Sequence, residues 1–222
     1  MLLIDDTAYY ETLDILRSKK ALLPIYAEIK AFIENLYSVR VVNFLFEKMK
    51  FSNSGCRPRL QVFLMSAEDY KKMFNGYNYG AEKQKTIANK FIELNKKYCF
   101  CPPEDLRNLF VCYSDFCKEM RCDVSQRASK EAIPRLKQKY SRLPIWNITM
   151  GFGVLYVFFD TDDQANEYRQ NILFQQIKQD YYATLRKYDE FDVFSLDNSD
   201  VVFDSKETVD RDYAGSMFYY FR

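Results

Sequence analysis

The chain contains no histidine. That single absence removes the commonest general base, the usual activator of a serine or cysteine nucleophile, and the commonest metal ligand. Glycine and proline are scarce, at 6 each in 222 residues, which argues against a disordered chain. There is no Gly-x-x-x-x-Gly-Lys-Ser/Thr loop and no Gly-x-Gly-x-x-Gly turn, so the common phosphate cradles are missing. Gly151-Phe152-Gly153 precedes an apolar run instead of opening a helix, and Gly76-Tyr77-Asn78-Tyr79-Gly80 reads as a loop between helices with no donor array. No apolar run approaches the roughly 18–20 residues of a membrane span. The longest, Val154 to Phe159, is strand-sized. Met1-Leu2-Leu3-Ile4 meets Asp5-Asp6 without a basic leader, so no signal peptide and a cytoplasmic location are expected.

Cysteine is present but not in a metal pattern. The six are Cys56, Cys99, Cys101, Cys112, Cys117 and Cys122. No Cys-x-x-Cys pair or His partner exists, and Cys99 and Cys101 read as alternating positions of a strand. Reduced, mostly buried thiols are expected, with no metal and no cofactor.

What the chain has in abundance is aromatic side chains. It holds 18 Tyr and 19 Phe and is 48% hydrophobic, a globular composition sufficient for one compact domain over residues 1–222. Most of these rings belong in a core, and some belong at a surface or interface.

The apolar periodicity alternates between strand and helix. Leu60 to Ser66 reads as a strand leading into a helix at Ala67, followed by a longer helix over Glu82 to Lys97 and a strand-like Tyr98-Cys99-Phe100. The order returns with a strand from Leu109 to Ser114, helices over Asp115–Arg121 and Ser129–Tyr140, and a strand at Ile145–Ile148. It returns again with Leu155–Thr161, a helix from Asp162, a helix over Gln175–Lys187 and a strand-like Phe191–Phe194. The fold class expected is therefore α/β or α+β, with mixed sheet or sheets covered by helices. About three divergent strand–helix–helix–strand repeats are expected at 60–101, 109–148 and 154–194, with a looser N-terminal unit over 1–44. That last unit comprises Leu2–Ile4, helices near Thr7–Ser18 and Ile25–Tyr37, and a strand at Val39–Phe44.

Ser66, Ser114 and Thr161 stand where helix N-caps would, with acidic residues just beyond. Ile87, Phe91 and Leu94, and likewise Ile177, Tyr181 and Leu185, follow helical spacing. Pro134 should start or kink a helix. The tail offers a strand at Val201–Phe203, a short helix near Lys206–Tyr213 and a terminal strand from Met217 to Phe221.

Charge divides along the chain. Residues 48–142 hold 20 Lys plus Arg against 10 Asp plus Glu, and residues 143–222 hold 7 against 14. The basic residues, among them Lys71, Lys72, Lys83, Lys85, Lys96 and Lys97, are scattered as on solvated helix faces. No nucleic-acid-reading motif accompanies them. The acidic residues are more concentrated. Asp160, Asp162 and Asp163 stand at a strand-to-helix junction, where helix capping accounts for them. Asp189, Glu190 and Asp192 surround Phe191, and Asp197, Asp200 and Asp204 follow. Carboxylates interleaved with aromatics suit a basic protein surface, one steering encounter and the other anchoring. Asp189, Glu190, Phe191, Asp192, Asp197, Asp200 and Asp204 are thus the expected partner-binding residues.

Tyr188-Asp189-Glu190-Phe191 together with Phe203-Asp204-Ser205-Lys206-Glu207, on a tyrosine-rich α/β chain, resembles bacterial immunity proteins of polymorphic toxin systems. The resemblance covers mainly the last 70 or so residues. It implies a non-enzymatic cytoplasmic protein that binds a cognate, basic toxin domain and occludes its active site or target surface. No residue role carries over, because no fixed motif is shared. Two other classes fit parts of the sequence. One is a carboxylate- or magnesium-dependent hydrolase or transferase using Asp160, Asp162 and Asp204. The other is a nucleic-acid-associated protein using the basic middle segment.

Overall fold

The structure, a computed structural model, describes residues 7–51, 55–74 and 79–222. Among the described residues the protein is a mixed α/β chain carrying two three-stranded sheets, as the alternating periodicity implies. It divides into two compact units, Met1–Glu119 and Met120–Arg222.

In the first unit, helices α1 (Thr7–Leu16) and α2 (Pro24–Tyr37) precede strands β1 (Val41–Phe51) and β2 (Gly55–Leu64). Helices α3 (Ala67–Met73) and α4 (Ala81–Tyr98) and a 3-10 turn (Pro103–Leu106) then lead to β3 (Phe110–Asp115). Pro24 opens α2, where a missing amide costs nothing. Ile25, Ile29 and Ile33 recur every fourth residue and are buried, and the helix stops where Ser38 turns left-handed. Strand β2 pairs antiparallel with β1 and parallel with β3; the parallel pair needs the long helical crossover that α3 and α4 supply. Leu60, Val62 and Leu64 on one face of β2 enter the core with Ile29, Ile87 and Phe91. On the opposite face Phe63 stacks on Phe116, which also meets Tyr9 of α1.

In the second unit, most of helix α5 (Phe116–Lys139) is followed by strands β4 (Ile145–Gly151) and β5 (Val154–Phe159). Helices α6 (Asp162–Arg169) and α7 (Ile172–Leu185), strand β6 (Val201–Ser205) and helices α8 (Lys206–Tyr213) and α9 (Met217–Tyr220) complete it. Here β5 pairs antiparallel with β4 and parallel with β6. Leu155, Val157 and Phe159 pack with Phe203 on one face, where Phe159 stacks on Tyr168 and Phe174 meets Phe203. Ile177, Tyr181 and Leu185 of α7 are buried at the expected spacing.

Several expected elements are different in fact. The strand at Leu109 does not open a unit of its own, because β3 is the parallel partner of β2. The strand plan common to both sheets is a hairpin followed by a helical crossover, which occurs twice, so the threefold segmentation at 60–101, 109–148 and 154–194 does not describe the sheets. The helices read at Asp115–Arg121 and Ser129–Tyr140 are one, and Pro134 sits inside it. Cys99 is the left-handed C-cap of α4 and no strand residue. Phe191–Phe194 forms no strand, and Met217–Phe221 is helical where a strand was expected. Ser114 does not cap: its hydroxyl accepts from the Gln61 amide, while the Asp115 carboxylate accepts from the Lys118 amide at 3.1 Å. Ser66 and Thr161 do cap, Thr161 in a reciprocal capping box with Gln164. The expected strand at Leu2–Ile4, and most of the Gly76–Gly80 loop, lie outside the described residues. The five cysteines with described side chains are free thiols. Among the described residues no helix is long and apolar enough to cross a membrane.

Candidate functional site

Several acidic residues of the C-terminal third are tied into the second unit by internal contacts. Asp189 is buried, with its side chain fully covered. Its two carboxylate oxygens accept from the amides of Val193 and Phe194, each at 2.9 Å. It therefore shapes the loop after α7, doing for that turn what an N-cap does for a helix. Asp192 is exposed and shares Arg186 with Asp189. Asp200 pairs with Arg121 at 3.3 Å. Asp204 accepts from the Tyr220 hydroxyl and, at 2.8 Å, from the Ser205 amide. Glu190 and Asp197 are exposed, and Phe191 is half-buried. Asp189, Asp192, Asp200 and Asp204 are thus engaged in separate internal contacts, while Glu190 and Asp197 stand at the surface.

Part of the charge division along the sequence is answered by contacts inside the second unit. Arg121 of α5 pairs with Asp200, Arg127 donates to the Tyr188 carbonyl at 3.2 Å, and Arg135 donates to the Asp180 carbonyl at 2.8 Å. Lys139 also reaches Asp180, and Glu131 of α5 takes Lys187. The basic helix and the acidic C-terminal third answer one another inside the second unit.

The carboxylates considered for catalysis are similarly engaged. Asp162, at the start of α6, accepts from Ser205 Oγ, from Thr208 Oγ1 at 2.7 Å and from Arg211 at 2.6 Å. In return Glu207 accepts from the Asp162 amide at 3.0 Å. Strands β5 and β6 run parallel and end level, so the two helices they feed begin side by side and cap each other. These hydrogen bonds, first from Ser205, then Arg211 and Thr208, hold the Asp162 carboxyl at about 2. Asp160 is exposed. Among the described residues no group of three His, Cys, Asp or Glu side chains is placed to hold a metal ion.

The feature that the fold leaves unspent is aromatic. Gly151 ends β4 and Val154 begins β5, so Phe152 and Gly153 form a two-residue hairpin turn with φ of 51° and 83°. Two positive φ values are the geometry that matches strand twist, and Asn-Gly is the usual filling. Here the first position is a phenylalanine, 80% exposed, in a conformation that a bulky side chain adopts only under strain. Behind it the rings run in series: Phe152 to Phe221 at 6.4 Å, Phe221 to Tyr156 at 5.0 Å, Tyr156 to Tyr220 at 5.8 Å. Tyr220 then meets Phe158 at 5.1 Å, and Phe158 meets Trp146 at 5.9 Å. Gly151 makes room for this, since a Cβ there would lie 2.4 Å from the Phe221 ring.

Helix α9 adds two further rings on its outer side, Phe218 at 70% exposure and Tyr219 at 54%. Burial, together with the Asp204 carboxylate that accepts its hydrogen bond, pushes the Tyr220 hydroxyl up and keeps it a neutral donor. Tyr220 thereby fastens α9 to β6. Trp146 is part-exposed, with Lys206 over its ring at 5.7 Å.

None of Trp146, Phe152, Phe218 and Tyr219 was singled out from the sequence. Gly-Phe-Gly between two strand-like runs was the available signal, because a hairpin turn of that length rarely carries a phenylalanine. The chain matches no protein-family profile, no curated protein and no solved structure.

Proposed function

We propose that this protein is a non-enzymatic binder of the immunity type, neutralising a cognate toxin domain by covering its active site or target surface. The observation that carries the reading is Phe152, a large apolar side chain held in solvent at a strained turn. Phe152, Phe218 and Tyr219 are exposed aromatics of the kind that anchor protein interfaces. Strain that packing does not require is retained where it serves a contact. The anchoring residues in this reading are Phe152, Phe218 and Tyr219. Asp189 and Asp204 serve the fold, and exposed Glu190 and Asp197 contribute at most to steering. Occlusion needs rigid shape and slow release and no chemistry.

Co-expression tests it. The toxin domain encoded beside this gene is expressed in a sensitive host with the wild-type chain or with a Phe152→Asn/Phe218→Ser variant. The wild type restores growth and forms a complex at nanomolar concentration; the folded variant does neither. The reading is wrong if no toxin domain is encoded there, if the wild type gives no protection, or if the variant protects as well.

A further inference from the structure

A second feature, in the first unit and independent of the aromatic face, has the form of a small-molecule site. Lys85, Ala88, Ile92, Asn95 and the C-cap Cys99 recur every three or four residues, with Lys96 next to Asn95, and so line one face of α4. Two cavities, of 560 and 310 Å³, lie against that face and share Ile92 and Leu106. They adjoin along α4 as a trough, each with a volume in the range of ligand pockets. Phe100, Pro102, Pro103 and Leu106 wall the larger cavity.

The trough is held open by the fold. Asn95 is buried, and its amide both donates to the Cys101 carbonyl and accepts from the Cys101 amide, each at 2.9 Å. That fixes the segment after α4 as a wall. At the other end, Gln84 donates to the Val111 carbonyl. The two prolines stiffen the wall further, since their φ is preset.

The charge is one-sided. Among the described residues lining the two cavities, Arg57, Lys85 and Lys96 are cations and none is a carboxylate. None of the three forms an ion pair with a described residue; Arg57 lies over the Phe110 ring at 4.8 Å. Elsewhere in this unit cations do find partners, as Lys97 does with Glu28 and Lys48 with Asp105. The larger cavity is mainly apolar, and an apolar groove lined and flanked by uncompensated cations complements an amphipathic anion. Lys85 and Lys96 are 11 helical residues apart, about 16 Å along the axis, which leaves room for an extended apolar body.

We infer that the α4 trough binds an amphipathic anion, a fatty carboxylate being the simplest case, with its head at Lys96 and its apolar body along Ile92, Phe100 and Leu106. Titration calorimetry on the full chain with dodecanoate, below its micellar concentration, tests this. Dodecanoate binds at one site in the micromolar range, and dodecanol, which lacks the charge, binds at least tenfold more weakly. Lys96→Glu, an exposed substitution, weakens dodecanoate at least tenfold, while Lys118→Glu, outside the trough, changes nothing. Ile92→Trp fills the cavity and reduces binding without altering the charge. The inference is overturned if dodecanoate fails to bind, if dodecanol binds equally well, or if Lys96→Glu binds as the wild type does.

Discussion

The carboxylate of Asp189 accepts a hydrogen bond from the amide of Val193 at 2.9 Å. A second, from Phe194, arrives at the same distance. A residue that reads in sequence as an interface carboxylate is therefore the organiser of its own loop. Both amides are buried, and removing their acceptor leaves each without a partner. Asp189→Ala should cost about 2–4 kcal/mol, whereas exposed Asp197→Ala should fall within about 0.5 kcal/mol of wild type. Urea unfolding followed by Trp146, the single tryptophan, reports this in the second unit. Equal stability of the two variants would return Asp189 to the list of free surface carboxylates.

Pro134 is exposed in the interior of α5. It has no amide to give the Lys130 carbonyl, and its ring crowds the preceding turn. Because no packing depends on it, Pro134→Ala should stabilise the second unit by about 1–3 kcal/mol. A fall in the urea midpoint would mean that the proline is required for the path of the helix.

Local signals were readable from sequence, and tertiary ones were not. Ser66 and Thr161 cap their helices through atoms three residues away, so the pattern of neighbours is enough to find them. The stripes Ile87, Phe91, Leu94 and Ile177, Tyr181, Leu185 are equally local. Met217–Phe221 defeated the reading because a five-residue apolar run carries no period, although Ser216 caps it as a helix. The site was hidden for a different reason. The partners of Asp200, Asp204 and Asp162 lie 79, 16 and 43 to 49 residues away, and no spacing rule announces them. The charge division was legible as a number, but the contacts by which α5 meets the acidic third of its own unit, which answer part of it, were not.

Asp162 gives the second unit a defined acid response. Its carboxyl is lowered in the fold from an ordinary 3.8 to about 2 by the hydrogen bonds from Ser205, Arg211 and Thr208. A lowered value means that folding favours the ionised form. Its contribution is therefore present above the ordinary carboxylate range and is lost as pH falls from about 4 toward about 2. Asp162→Asn should be less stable than wild type at pH 6, with a gap that closes over that window. Solvent reaches the carboxylate, so screening keeps the gap small. Urea unfolding of both proteins at pH 6, 4, 3 and 2 measures it, and a gap independent of pH would mean that shape, not charge, is what Asp162 supplies.

Phe152 separates stability from function most sharply. Its φ of 51° suits asparagine, whose short polar side chain tolerates the left-handed region, far better than a bulky ring. The ring meets Phe221 only at 6.4 Å and is otherwise in solvent, so little packing is lost on replacing it. Phe152→Asn should raise the stability of the second unit by about 1 kcal/mol. A substitution that relieves strain and yet weakens complex formation marks a residue kept for contact and not for folding. Unfolding midpoints and partner affinity, measured on the same preparation, decide the case. Gain in both would assign the strain at Phe152 to no contact and move the anchoring role to Phe218 and Tyr219 alone. A loss of stability would show that the Phe152–Phe221 contact outweighs the turn, making the tip part of the aromatic core that α9 completes.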